Sequence, residues 1–350
     1  MRLVLPRREH ALKTAACLGC LLLCLLAACS PIPLPTDLTS TASIVPVTAV
    51  PTRTDTPEIT VTPAATVPVI ITIPAATVIP TATALPPNFW QTLPVIPTQI
   101  SPRVRQIYQN GLALGNNPHV FSRIGDCNSA APAFLVGFDG PYNLGAYSSL
   151  QPAIDYFQGS FKRPSLAAKA GLNSAGLLTT LWTAQECQKD ESLLDCQYRL
   201  DRPSFAFITI GTNEAYYVHT EPGAFERNMR LILDDTISKG IVPILGTKAD
   251  NVEGDGSINA TIARLAAEYQ VPLWNFWLAA QSLPGQGLVD PEHLNSVSYA
   301  NFVDFSIPTS LEHGVQMHNL TALQMLDFLR QQLALRNPAA DTTPTPTATP

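Results

Sequence analysis

The chain has 350 residues, a net charge of −6 and only 14% charged residues. No basic cluster stands beyond its first residues, which argues against nucleic-acid binding and against electrostatic attachment to a membrane. No Cys/His/Asp/Glu group has metal-ligand spacing and no Gly-rich phosphate loop occurs, so neither a metal nor another cofactor is expected.

The N-terminus carries Arg2, Arg7, Arg8 and Lys13, followed by an apolar run over residues 15–28. That run is shorter than the roughly 20 residues a membrane-spanning helix needs. A basic start, a short apolar core and small residues at its end describe a signal peptide. The end reads Leu26-Ala27-Ala28-Cys29, which resembles the lipobox of bacterial lipoproteins. The resemblance implies a signal peptide over 1–28 and a diacylglycerol on the Cys29 thiol after cleavage. It also implies a membrane partnership through that lipid, on the outward face of the cell envelope.

Residues 29–100 follow as a linker. Fourteen of the 32 prolines fall in residues 31–100, among Thr, Ala and Val. Proline removes backbone donors and favours extended polyproline II, so the expectation is a semi-rigid spacer. The tail, residues 336–350, has the same composition.

Residues 101–335 remain, enough for one well-buried domain. Apolar runs at 132–138, 204–210, 241–246 and 271–276 predict strands. Helical periodicity at 224–239, 258–269 and 320–335 predicts amphipathic helices between and after them. Alternation of this kind predicts a three-layer α/β/α sandwich with a parallel central sheet. Sites in such sheets form at the carboxyl ends of the strands. Cys187 and Cys196 lie nine positions apart in the polar segment 185–198. In an oxidising envelope they are expected to form a disulfide closing a surface loop. Cys127 is then left as an unpaired thiol, either a small buried hydrophobe or a reactive group.

Four short segments carry chemistry. Gly125-Asp126-Cys127-Asn128-Ser129 precedes the first predicted strand. Ala170-Gly171-Leu172-Asn173-Ser174 lies mid-chain, and Gly211-Thr212-Asn213-Glu214 follows a strand end. Asp290-Pro291-Glu292-His293-Leu294-Asn295 comes after the last strand. In order and spacing they resemble the SGNH/GDSL hydrolase superfamily across essentially all of 101–335. The resemblance implies an ester hydrolase on an SGNH-hydrolase/flavodoxin-like α/β/α fold. It puts Cys127 at the position of the nucleophilic Ser. Backbone and side-chain oxyanion donors fall at Gly171 and Asn213, and the Asp-x-x-His pair at Asp290 and His293.

Elementary chemistry assigns the same roles. Acyl transfer needs a nucleophile, a base within reach, an orienter for the base, and donors placed where negative charge develops. Cys127 in place of Ser leaves three readings open. Cys127 acts as the nucleophile, Ser129 replaces it, or the site binds a ligand without turnover. The expected substrate is a small-molecule or glycan ester, with O-acyl groups on surface glycans or lipids suggested by location. Of the other histidines, His318 opens the last predicted helix, while His119 and His219 read as surface or loop residues. The acidic segment 250–256 reads as a solvated loop or, less simply, as a border of the site.

Overall fold

The structure is a computed structural model describing residues 86, 88–130, 132–297 and 302–336. Residues 1–85, including Cys29 and the proposed signal peptide, lie outside the described residues, as does the tail from 337. Four strands form one parallel sheet in chain order: β1 (Asn117–Gly125), β2 (Pro203–Thr209), β3 (Val242–Gly246) and β4 (Leu273–Trp274). Phe121 pairs with Phe205, Gly125 with Thr209, Phe207 with Ile244, and Leu245 with Leu273. Beyond the free edge of β1, Gly125 bridges Ala168 in parallel; its N–H donates to the Ala167 carbonyl at 2.9 Å. Every residue of β3 and all but the last of β2 is buried. The absence of in–out alternation means that both sheet faces are covered, as parallel sheets require. The α/β class expected from the sequence is the one observed.

Eight α-helices surround the sheet among the described residues: α1 (Pro102–Ala113), α2 (Gln151–Tyr156), α3 (Ser174–Leu177), α4 (Leu193–Asp201), α5 (Ala224–Ser238), α6 (Ser257–Tyr269), α7 (Phe276–Gln281) and α8 (Gly314–Gln332). None of the helices among those residues is long and apolar enough to cross a membrane. Local chemistry starts several of them. Ser101 accepts from the Val104 N–H with Pro102 at the first position of α1, and Ser192 caps α4 in the same way. The unit β2–α5–β3 has the parallel crossover expected from its length. It turns at Gly240, whose φ is +68°; a Cβ there would meet the Gly111 backbone at 2.4 Å, so only glycine fits. An aromatic ladder fills the core, with Phe207 edge-on to Phe121, Phe134 and Trp274.

Three expectations need correction. Residues 132–138 are a buried loop entering a 3-10 turn, not a strand, and the first strand is Asn117–Gly125. Apolarity there reports burial rather than conformation. Side chains satisfy that loop's backbone: Arg123 Nη1 donates to the Phe134 carbonyl, the Asn319 Oδ1 accepts from the Leu135 N–H, and the Asn319 Nδ2 donates to the Ala133 carbonyl. The true strand was hidden by buried polar residues, which are themselves partnered. Ser122 donates to Asp201 at 2.6 Å and Arg123 Nη2 to the Arg163 carbonyl at 2.6 Å.

The linker boundary at residue 100 is also too late. Trp90 is 2% exposed and meets Trp277 edge-on, and the Asn275 side chain donates to the Trp90 and Leu93 carbonyls. Residues 88–100 therefore belong to the folded unit. Finally, the last helix begins at Gly314, a turn and a half before the apolar periodicity, so His318 sits inside it and is buried. The Cys187–Cys196 disulfide is present, with Cα atoms 5.2 Å apart. It closes a surface loop as expected, exposed at residues 188–190, and its second cysteine is fully buried on α4, so the loop is fastened to that helix.

Candidate active site

The four segments singled out in the sequence meet at the carboxyl ends of the strands. Cys127 lies two residues after β1, and Asn213 lies four after β2. Direct hydrogen bonds stitch the segments together. Asp126 Oδ2 accepts from the Thr212 N–H at 3.3 Å, joining the first and third. Asn213 Nδ2 donates to the Leu172 carbonyl at 2.8 Å and Glu214 Oε1 accepts from the Ser174 N–H at 2.5 Å, joining the third and second. Asn128 bonds the main chain on both sides of His293, joining the first and fourth.

His293 and Asp290 form the expected pair. The ring Nδ1 lies 3.0 and 2.9 Å from the two Asp290 oxygens, and Asp290 Oδ1 also accepts from the Glu292 and His293 N–H groups. Those backbone donors, ahead of the imidazole, hold the Asp290 carboxyl below its ordinary range. Both side chains are about half exposed, at 48% and 47%. The Asp290 bonds use Nδ1, and Nε2 has no protein hydrogen-bond partner among the described residues.

Cys127 is half-buried and is the free cysteine among the described residues. Burial pushes its thiol up to about 12; the negative charges of Asp126 and Glu292 act in the same direction, against the Asn128 N–H. Among the described residues, the hydrogen bonds of the His293 ring go to Asp290 and none reaches this thiol. Cys127 is therefore a neutral thiol at rest, not one half of an ion pair.

Gly171 has φ +76°, a left-handed turn that suits glycine, and the Trp182 ring lies 3.6 Å from where a Cβ would stand. Among the described residues no protein acceptor takes its N–H. The Asn213 amide has two hydrogens and spends one on Leu172, so the other remains for a ligand. Ser129 is 1% exposed and bonds the Thr209 hydroxyl inside the sheet edge, which removes it as a nucleophile for an external substrate.

Beneath Cys127 lies a polar cluster that sequence reasoning missed. Asp126, fully buried, is pushed up to about 7, chiefly by burial and further by Asp250 and Glu214. Thr212 hands a hydroxyl bond to Asp250 at 2.9 Å, and Lys248 bridges Asp250 and Glu253 at 2.6 Å each. The segment 250–256 is thus no solvated loop at its start, for Asp250 and Glu253 are buried at the border of the site. His219 Nε2 meets the Glu253 carbonyl and His119 Nδ1 the Tyr156 carbonyl, so both are tied structurally. His318 lies among Phe134, Trp274 and Phe276, and burial depresses it to about 3, which leaves it a neutral ring. It lines a cavity of about 20 Å³ with Asp126, Thr209, Thr212 and Lys248. Glu214, buried and raised by that burial, serves as a tie between segments. A Lys close to two acidic residues and polar residues directly after strand ends were the available signals for this cluster.

No protein-family model matches the chain, and no curated protein does. Among solved structures, the protein YxiM of Bacillus subtilis overlays with a TM-score of 0.38 and 16% identity, over 63% of this chain. The match spans 58% of the YxiM chain, less than two thirds of its length. A likeness of that size leaves the site to be argued from its own geometry.

Proposed function

We propose that the protein is an SGNH/GDSL-type hydrolase of carboxylic esters working through an acyl-enzyme on Cys127. The observation that carries this reading is the His293 ring: both Asp290 oxygens take Nδ1, and Nε2 is left free on a loop bonded to the Cys127 loop. With the proton on Nδ1, facing the Asp290 carboxylate, Nε2 is the basic nitrogen that a general base requires. In the reaction, Nε2 takes the thiol proton as Sγ attacks the ester carbonyl carbon. The Gly171 N–H and the second Asn213 hydrogen receive the developing oxyanion. The C–O bond breaks, His293 returns the proton to the departing alcohol, and water then cleaves the thioester by the same base. Proton transfer accompanies attack, because the thiol is not ionised at rest. Asp290 and Glu292 make the mouth of the site acidic, and the nearby Lys248 is already shared by two carboxylates. Uncharged esters, such as O-acyl groups on glycans or lipids, suit such a surface. Lipid attachment at Cys29 completes the reading as a tethered envelope enzyme.

The test is turnover of a short-chain aryl ester by the full chain in detergent, beside Cys127→Ala and His293→Ala. Wild-type turnover with a Cys127 acyl adduct by mass spectrometry supports the reading; equal rates for wild type and Cys127→Ala sink it. The raised thiol with no hydrogen bond to His293 favours one alternative, a module that binds esters without cleaving them. That reading expects saturable ester binding and no adduct.

A further inference from the structure

Asn128 is the residue after the proposed nucleophile and was assigned nothing from the sequence. Its Nδ2 donates to the Glu292 carbonyl at 2.9 Å, and its Oδ1 accepts from the Leu294 N–H at 3.1 Å. His293 stands between those two residues. On the other side, the His293 N–H donates to Asp290 Oδ1 at 2.8 Å and its carbonyl accepts from the Val289 N–H at 2.9 Å. Four consecutive main-chain polar groups, from the Glu292 carbonyl to the Leu294 N–H, are therefore all engaged. The Asn128 amide pairs with this segment as the edge of a neighbouring strand would.

This matters because packing does not fix the imidazole. The His293 side chain is about half exposed, so hydrogen bonds to its backbone and to Nδ1 decide where Nε2 points. We infer that Asn128 is a positioning residue, a side-chain clamp on the nucleophile's own loop that sets the distance between Cys127 and His293. The role rests on the hydrolase reading above. It explains the residue type, because a donor and an acceptor must sit a fixed distance apart on a short stem. Asp lacks the donor, Ser is a single atom, and Gln is one methylene too long.

The experiment uses the full chain in detergent with Asn128→Leu, which keeps the volume and removes both bonds, and Asn128→Asp, which keeps the acceptor. For Asn128→Leu, kcat on an aryl acetate is expected to fall about 30-fold, equivalent to about 2 kcal/mol, with KM within twofold. Added imidazole is expected to restore part of that loss and part of the loss in His293→Ala, because the missing function in both is a placed base. Amide exchange at Leu294 accelerates in Asn128→Leu and stays slow in Asn128→Asp, whose kcat falls by a smaller factor. Should Asn128→Leu fail to fold, the Asn128→Asp pattern decides on its own. A kcat within threefold of wild type, a loss confined to KM, or rescue of His293→Ala without rescue of Asn128→Leu overturns the inference. If wild type itself is inert, the hydrolase reading falls. The Leu294 amide then decides separately: protection lost in Asn128→Leu upholds the clamp, and unchanged protection overturns it.

Discussion

Alkylation of Cys127 by iodoacetamide follows the thiolate, so its pH dependence reads the ionisation of this thiol directly. The thiol stands at about 12 against an ordinary 9.0, with burial the largest cause and Asp126 the next. At pH 8 an ordinary thiol is about one tenth ionised, whereas Cys127 is ionised in about one molecule in ten thousand. The native protein is therefore expected to react about a thousandfold more slowly than the same cysteine in guanidinium, scored by mass spectrometry of the peptide containing it. Hindered access also slows alkylation, but it does not change the slope. The logarithm of the native rate should climb one unit per pH unit through pH 10 without a plateau. A plateau below pH 10 would show a thiolate already paired with His293 and would refute the concerted proton transfer argued above.

Other outcomes follow from the same structure. Asp126 at about 7 is raised above its ordinary 3.8, so the folded state keeps a proton that the unfolded state has lost. Its contribution is therefore fully favourable below pH 4, and stability declines as pH rises from 4 to 7, by about 4 kcal/mol in all. Urea unfolding of Asp126→Asn should lack this decline, and a difference from wild type that stays constant between pH 4 and 8 would refute the assignment. Trp90→Ala empties a fully buried site and should cost about 3–5 kcal/mol in the same assay; a cost under 1 would return residues 88–100 to the linker. Replacing Cys187 and Cys196 together by Ser opens a short loop and should cost about 2–3 kcal/mol, read as a lowered urea midpoint.

Much of this molecule could be read from its residues, but unevenly. The strands around 204–210 and 241–246 are predominantly apolar runs, and a centre buried on both faces leaves little else they can be. The strand that delivers Cys127 was not readable. Its buried positions include Ser122 and Arg123, whose partners, Asp201 and the Arg163 carbonyl, lie far along the chain. Conversely, the run at 132–138 is apolar because it is buried, and only its partners Arg123 and Asn319 reveal why it need not be a strand. The Asp290–His293 pair was readable because three residues on one turn bring the two side chains together. Asn128 and Thr212 were not, since each acts through a residue that sequence spacing does not place beside it.

The bonds that hold Cys127 in place have a temporal consequence. Thr212 joins Asp126 across 86 residues of chain, and Asn128 reaches Glu292 and Leu294 across 164 and 166. Cys187 and Cys196 are separated by nine. Closing a short loop is entropically cheaper and faster than closing a long one. A chain emerging N-terminus first thus presents Cys127 before either pairing partner exists, and brings Cys187 and Cys196 out almost together. The native disulfide has proximity in its favour over any pairing with Cys127. The corner that holds Cys127, by contrast, cannot close until residues near 294 arrive, so the candidate site is completed only when nearly all of the folded unit has been made.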